Sequence, residues 1–249
     1  MTSTLKDKTA LVIGGTGGIG AACAEVFASQ GAKVIITHRP GKADAALDLV
    51  AELSGSGHQA FPADVADTAS LLALRNAITS QHGSIDILVN AAGFTRSIPH
   101  ADLSALDDEV IDQVFAVNWR GQFATIRTFA PLLKASGNGL IVLVSSIAGN
   151  TGIGSSIAYC AVKAGIDVMV KSLARVLAPE VRVVGVAPGV VDTAFVPGRN
   201  AAFNARTAAS TPLRRIATPF DIADAILACA THLTFSTGTT IVVDGGRSL

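Results

Sequence analysis

Short, almost wholly apolar runs alternate along this chain with longer amphipathic stretches, and this alternation limits its fold more than any other feature. Residues 140–144 read Leu-Ile-Val-Leu-Val and therefore predict a strand that is buried on both faces. Strands of this kind that alternate with helices form a parallel sheet covered by helices on both sides. The predicted fold class is therefore α/β, with a doubly wound parallel sheet. Its seven predicted strands are at residues 9–14, 33–37, 58–63, 85–90, 139–145, 181–187 and 240–243.

The stretches between these strands predict helices, and one connection is too long to fit this scheme. No change of composition and no internal repeat divides the 249 residues, so we expect a single domain, 1–249. The connection 188–218 contains three prolines and follows the sixth strand. Ligands lie beyond the carboxyl ends of strands in open α/β sheets, and long connections there are often lids, so we predict a substrate lid at 188–218. The predicted helices cover residues 18–30, a stretch that ends at about 53, 67–82, 107–136, 156–178 and 219–231.

The charge and the cysteines of the chain argue against several classes of function. Its 19 basic and 19 acidic residues cancel, which gives no electrostatic basis for binding nucleic acid or an anionic membrane. The cysteines Cys23, Cys160 and Cys229 are few and far apart, so we predict neither a disulfide framework nor a metal site. Segment 1–8 lacks the basic start and apolar run of a secretory signal, and no apolar run is long enough to span a membrane. We therefore expect a cytoplasmic protein.

A glycine-rich segment, residues 14–20 (Gly-Gly-Thr-Gly-Gly-Ile-Gly), follows the first strand and opens the first helix. Glycines allow a tight turn and the close approach of a pyrophosphate, to which the start of the helix offers free N–H groups. A strand before such a turn and a helix and a second strand after it are typical of the dinucleotide-binding Rossmann fold. The residues of this turn that we predict to bind the cofactor are Gly14, Thr16, Gly18, Ile19 and Gly20.

The end of the second strand indicates which dinucleotide is bound. NAD sites usually carry an acidic residue there, whereas this chain has His38 and Arg39. The fork of donors on Arg39 suits a 2′-phosphate, which predicts a preference for NADP(H), with NAD(H) as the alternative. Arg39 as a solvated loop residue is the other interpretation.

Tyr159, the only tyrosine, stands four residues before Lys163 near the start of a predicted helix. Residues at this spacing share one helix face, and an ammonium group beside a phenol lowers its pKa from the ordinary value near 10. Such a pair is suited to proton transfer. Ser146 closes the fifth strand and Asn118 lies within the predicted helix 107–136, which makes them further candidates.

Together these segments resemble the short-chain dehydrogenase/reductase superfamily, and they look most like its 3-oxoacyl-(acyl carrier protein) reductase branch. The resemblance covers about residues 6–246. It includes the glycine turn, segment 90–93 (Asn-Ala-Ala-Gly), the Asn–Ser–Tyr–Lys set and segment 188–189 (Pro-Gly), in the order and at the spacing of the family.

The resemblance implies a role for each of these residues. Tyr159 would donate a proton to a carbonyl oxygen in reduction, or remove one in oxidation, and Ser146 would orient that oxygen. Lys163 would hold the nicotinamide ribose and depress the pKa of Tyr159, and Asn118 would hold a water that relays protons to solvent. The further positions that the resemblance assigns to the cofactor groove are Asp64, Val65, Asn90, Gly93, Pro188, Gly189, Val191 and Thr193.

Departures from the family pattern bear on stability and on one partner. Ile13 and Ala91 replace a threonine and an asparagine whose side chains tie loops to the sheet, at a cost of about 1 kcal/mol each if nothing compensates. Arg175 stands where a carrier-protein reductase carries one docking residue, whereas the region of Lys134 has no arginine. Binding of an acyl carrier protein therefore stays open.

The apolar residues expected in loops at the carboxyl edge of the sheet predict a mainly apolar substrate pocket. The substrate expected there is a ketone or a secondary alcohol. The leading hypothesis is an NADPH-dependent reductase of 3-oxoacyl or other apolar ketones. The alternatives are a dehydrogenase of secondary alcohols such as sugars, polyols or steroid-like compounds, and a cofactor-sensing protein without turnover. The resemblance also implies a homotetramer, with helices 107–136 and 156–178 paired across one two-fold axis. The candidate pocket residues are Phe94, Ile98, Ile153, Phe195, Val196 and Phe203.

Overall fold

Seven parallel strands form one sheet in the order β3-β2-β1-β4-β5-β6-β7, which confirms the predicted fold class. This computed structural model describes residues 4–249, so the first three residues of the predicted domain and of the N-terminal segment lie outside the described residues. The strands are β1 (Thr9–Ile13), β2 (Lys33–His38), β3 (Gln59–Pro62), β4 (Ile87–Asn90), β5 (Gly139–Val144), β6 (Val181–Pro188) and β7 (Thr240–Val243).

Helices cover both faces of the sheet, and the alternation of side chains along each strand supplies both cores. On β1, Val12 belongs to one apolar cluster and its neighbours Leu11 and Ile13 to the other. Phe27 of α1 packs on the first face and Phe129 of α5 on the second, both with no exposed area. The helices are α1 (Gly18–Ser29), α2 (Ala43–Glu52), α3 (Thr68–His82), α4 (Asp108–Phe115), α5 (Gly121–Ala135), α6 (Ala148–Thr151), α7 (Ile157–Leu177), α8 (Ala201–Ser210) and α9 (Pro219–Thr231).

The order of the strands reverses at β1, which pairs with β2 on one side and with β4 on the other. At such a switch point the connections leave β1 and β4 in opposite directions and open a crevice beyond their carboxyl ends. The glycine turn follows β1, and segment 91–93 follows β4, so both lie at this crevice.

Two connections differ from the sequence prediction. The predicted helix 107–136 is divided by the π-helical segment Ala116–Arg120, where the Asn118 side chain donates to the carbonyl oxygen of Val114 at 2.8 Å. The connection 188–218 contains α8, whose small residues gave no clear helical period. Asn200 caps this helix by accepting a hydrogen bond from the Phe203 N–H at 2.9 Å. None of the helices within residues 4–249 is long and apolar enough to cross a membrane.

Candidate active site

A cleft of about 610 Å³ opens at the carboxyl ends of the central strands and collects most of the predicted catalytic residues. One wall consists of the end of β5 and the start of α7, and the other consists of the connection 188–218. The predicted site residues that line the cleft are Ile19, Gly93, Ser146, Tyr159, Lys163, Pro188, Gly189, Val191 and Thr193.

Tyr159 and Lys163 lie on one face of α7, as their spacing predicts. The buried Ser156 starts the helix, and its hydroxyl accepts a hydrogen bond from the Tyr159 N–H at 3.2 Å. The Lys163 ammonium nitrogen lies 5.4 Å from the centroid of the Tyr159 ring. The cap thus fixes the first turn of the helix, and this turn carries the phenol into the cleft.

The end of β5 is bonded to α7 in two places. The Lys163 ammonium donates to the Val144 carbonyl oxygen at 2.7 Å, and the Ser145 hydroxyl donates to the Lys163 carbonyl oxygen at 3.3 Å. Ser146 follows directly and hydrogen-bonds the Tyr159 side chain. Strand and helix therefore hold the serine, the phenol and the ammonium group as one unit.

The pKa of Tyr159 differs from the expectation. Burial raises the pKa of this phenol well above its ordinary value, although the hydrogen bond with Ser146 and the charge of Arg199 act in the opposite direction. Burial also lowers the pKa of Lys163 to about 8, with Asp167 opposing this shift. The expected depression by Lys163 was therefore wrong for this structure, because desolvation of the phenol outweighs the charges around it.

Asn118 lies behind the cleft and does not line it. Its amide nitrogen donates to the carbonyl oxygens of Phe94 and Val114 at 2.7 and 2.8 Å, and its side-chain oxygen accepts from the Phe94 N–H at 3.2 Å. The side chain thus ties the loop after β4 to the π-helical segment.

The glycine turn fits a phosphate at the level of the backbone. Gly14 has φ +78°, and a Cβ atom there would lie 2.9 Å from the Ala92 nitrogen. Helix α1 begins at Gly18 without a side-chain cap, which leaves its first N–H groups for an anion. The residues present therefore fit a nicotinamide dinucleotide.

The two departures from the family pattern are accommodated at this turn. Ile13 is buried in the core, and Thr37 on the neighbouring strand supplies the hydroxyl, which accepts from the Gly14 N–H at 3.0 Å. The Ala91 N–H donates to the Ile13 carbonyl oxygen at 3.0 Å. Thr37 therefore gives the turn a side-chain hydrogen bond, and a main-chain hydrogen bond joins segment 91–93 to the end of β1.

Several predicted cofactor residues lie outside the cleft. Arg39 and Asp64 are exposed, Val65 is buried, and the fully buried Asn90 donates weakly to the Gln122 carbonyl oxygen at 3.5 Å. The Asp64 carboxylate accepts from the Ala66 N–H at 2.8 Å. The remaining predicted residues of the glycine turn, which sit beside the cleft without lining it, are Gly14, Thr16, Gly18 and Gly20.

The substrate side was predicted in part. Ile153, Phe195, Val196 and Phe203 line the cleft, whereas Phe94 and Ile98 pack in a separate apolar cluster with Val110 and Val162.

The sequence did not predict two charged residues that line the cleft, Arg199 and Arg247. The one available signal was an arginine directly after Pro197-Gly198 inside the predicted lid. The placement of Arg247 depends on the fold of the C-terminal segment and left no local signal.

Comparison with known proteins agrees with this geometry. Residues 14–248 match the family model described as enoyl-(acyl carrier protein) reductase. The chain is 38% identical, over 96% of both chains, to a Streptomyces violaceoruber protein assigned as ketoacyl reductase 2 of the granaticin polyketide synthase. It is 36% identical to cis-4-hydroxycyclohexanecarboxylate dehydrogenase of Sinomonas cyclohexanicum, over 99% of this chain and 98% of that one.

A solved structure assigned to the short-chain dehydrogenases/reductases, from Burkholderia xenovorans, superposes with a TM-score of 0.89 at 34% identity, over 96% of this chain and 97% of that one. The chain belongs to the short-chain dehydrogenase/reductase family, whose members are oxidoreductases that act on CH–OH groups with NAD(P)(H).

Proposed function

We propose that this protein is an NADP(H)-dependent reductase of 3-oxoacyl or other apolar ketones. The observation that carries the proposal is the convergence of Ser146, Tyr159 and Lys163 on one wall of a cleft whose opposite wall is largely apolar. When bound, the nicotinamide supplies the hydride.

Tyr159 is the proposed proton donor to the carbonyl oxygen. Burial keeps the pKa of this phenol above its ordinary value, so Tyr159 holds its proton at neutral pH. A raised pKa also makes the phenol a weaker acid, so the transfer depends on groups that stabilise its anion. The hydrogen bond from Ser146 and the charge of Arg199 stabilise the phenolate that remains after the transfer. Ser146 also orients the carbonyl oxygen, and Lys163 holds the nicotinamide ribose.

The role of Asn118 as the holder of a relay water is supported by the family resemblance. Its side-chain amide is engaged with Phe94 and Val114, so another group of this segment would have to bind that water.

Different parts of the crevice are proposed to hold different parts of the cofactor. The glycine turn holds the pyrophosphate, Asp64 and Val65 the adenine, and Arg39 the 2′-phosphate. Arg39 is exposed, and its guanidinium group makes no hydrogen bond or ion pair to the residues that the structure describes, so its donors are free for a phosphate. The proposed groove is completed by Asn90, Gly93, Pro188, Gly189, Val191 and Thr193.

Connection 188–218 is proposed to act as the substrate lid. Phe195 lies with its ring centroid 6.0 Å from that of Tyr159, and Phe203 of α8 lines the same cleft. The segment thus supplies apolar surface directly opposite the proton donor.

Self-association as a homotetramer is supported by apolar side chains left exposed on the helices predicted to pair. Phe115, Trp119 and Phe123 are 37–40% exposed, and the rings of Trp119 and Phe123 stack at 6.1 Å. Family members commonly form oligomers.

Binding of an acyl carrier protein is supported at one position only. Arg175 is exposed on α7 and is available as a docking residue, whereas the second expected position, near Lys134, has no arginine.

The second candidate function is a dehydrogenase of secondary alcohols. It is favoured by the relative from Sinomonas cyclohexanicum, which is named for the oxidation of a ring hydroxyl. The same residues serve this reaction in reverse, with Tyr159 as the proton acceptor.

Replacement of Tyr159 by phenylalanine tests the proposal. The variant keeps the ring in its packing site but removes the proton, so kcat should fall by about 10²- to 10⁴-fold. The Kd of NADPH should stay within about twofold, since binding does not use this proton. A variant that retains its activity would point to a cofactor-sensing protein or to another proton donor.

A further inference from the structure

The end of the cleft formed by the lid is positively charged. Arg199 and Arg247 both line it, and Lys163 lies on the opposite wall. Among the described residues that line the cleft there is no aspartate or glutamate. A cleft with three cationic groups and no carboxylate attracts an anionic ligand.

The guanidinium group of Arg199 has no hydrogen-bonding or ionic partner among residues 4–249. It makes neither a hydrogen bond nor an ion pair there, and its only ring contact is with Phe203, 4.9 Å from the guanidinium carbon to the ring centroid. Arg199 is half-buried, and burial and the charge of Arg247 lower its pKa. A partly desolvated arginine without an anion is costly to keep, which suggests a ligand that pairs with it.

Two carboxylates, Asp192 of the lid and Asp244 of the C-terminal segment, are engaged elsewhere. Asp192 accepts a hydrogen bond from the Asn204 side chain at 3.0 Å. Asp244 accepts from the Gly246 and Ser248 N–H groups at 2.8 and 2.7 Å. Neither lines the cleft, so the charge of Arg199 is left for a ligand.

Arg199 also lies close to the reacting group. Its charge lowers the pKa of Tyr159. The Tyr159 ring lies beside Phe195 and the Arg199 guanidinium beside Phe203, and all four side chains line the same cleft. An anion bound by Arg199 would therefore lie only a few bonds from a carbonyl that is hydrogen-bonded to Tyr159.

We propose that the preferred substrate is a short oxo acid, whose carboxylate pairs with the Arg199 guanidinium while its ketone meets Tyr159. This inference rests on the proposed function and narrows it from apolar ketones to ketones that carry a carboxylate. Arg247, which donates to the Ser210 hydroxyl at 3.0 Å, adds positive charge at the same end.

The test compares each oxo acid with its own methyl ester. Acetoacetate, levulinate and 4-oxocyclohexanecarboxylate place the carboxylate at different distances from the ketone, and esterification removes only the charge. We measure kcat/KM for each pair with NADPH in the wild type, and we measure the Kd of NADPH separately by nucleotide fluorescence.

The expected result is a wild-type preference for at least one acid over its ester. Arg199→Gln should lower that acid-to-ester ratio by about 10- to 100-fold, and Arg199→Lys should retain part of it. The matched control is Arg206→Gln, an exposed arginine of α8 that does not line the cleft, and it should leave the ratio unchanged. Arg247→Gln should cause a smaller decrease than Arg199→Gln.

Four outcomes would contradict the inference. Equal kcat/KM for acids and esters in the wild type would contradict the pairing of a substrate carboxylate with Arg199. A decrease of kcat/KM in Arg199→Gln that is equal for acid and ester would contradict it too. Both results would leave the reductase proposal intact. A rise in the Kd of NADPH in Arg199→Gln that matches its loss of activity would assign the arginine to the phosphates of the cofactor. Failure to reduce any acid or ester despite NADPH binding would count against the proposed reductase function itself.

Discussion

The two walls of the cleft are built in different ways. The wall of β5 and α7 is tied by hydrogen bonds through Ser145, Ser156 and Lys163, all of which are buried. The lid wall includes the exposed Phe195 and the half-buried Phe203 and Arg199, and the Arg199 guanidinium has no polar partner among residues 4–249. Groups that transfer a proton need a fixed geometry, whereas groups that select a ligand need hydrogen-bond donors or charges that are not already paired within the protein. Substrate choice can therefore change on the lid while the chemistry stays fixed on the other wall.

A methyl group at the glycine turn should give the largest effect on stability. The Cβ atom of Gly20→Ala would overlap the Gly14 carbonyl oxygen, which is backbone and cannot move aside without opening the turn. We expect a loss of about 3 kcal/mol in the free energy of unfolding, or a decrease of about 8 °C in Tm. Differential scanning calorimetry checks this, and an unchanged Tm would mean that the turn is far looser than described.

Arg39→Asp should give the next largest effect, on cofactor choice. It replaces the proposed donors to the 2′-phosphate by a charge that repels it, so the Kd of NADPH should rise by about 30-fold and that of NADH by no more than about threefold. Arg75→Asp, the same change of charge at a half-buried arginine of α3, is the control. Equal weakening of both nucleotides would contradict the specificity argument.

The pH profile of reduction should report on Lys163. Its pKa is lowered to about 8, so the ammonium group is present below that pH and is lost as the pH rises through it. Because the ammonium group is proposed to hold the nicotinamide ribose, kcat/KM should fall above pH 8 by up to about tenfold per pH unit. A kcat/KM that does not change between pH 7 and 9.5 would mean that the activity does not depend on the charge of Lys163.

The same methyl group in the lid should have the smallest effect. Gly198 has φ +85° but no neighbour within 4 Å of an added Cβ atom, so Gly198→Ala meets backbone strain and no collision. We expect a loss of about 1 kcal/mol in the free energy of unfolding, together with a change in KM that exceeds the change in kcat. A loss as large as that of Gly20→Ala would mean that lid and turn are equally fixed.

The sequence predicts the fixed wall far better than the lid. Strand alternation and local spacing set the sheet, the glycine turn and the Tyr159–Lys163 pair, because these depend on neighbours in the sequence. Arg199 and Arg247 come together in one cleft only because segments far apart in the sequence fold against each other. No local sequence pattern predicts this. The pKa of Tyr159 was mispredicted for a related reason, since the pattern reveals the charged neighbour but not the extent of burial.

The most direct test of hydride transfer to a ketone follows a label from the cofactor. The protein is given NADPH with two deuterium atoms at nicotinamide C4, together with 4-oxocyclohexanecarboxylate or its methyl ester, and the alcohol formed is analysed by mass spectrometry. We predict one deuterium on the carbinol carbon with the wild type, and alcohol formation at least about 100-fold slower with Tyr159→Phe. Alcohol without deuterium, or no alcohol from either ketone despite nucleotide binding, would contradict the account.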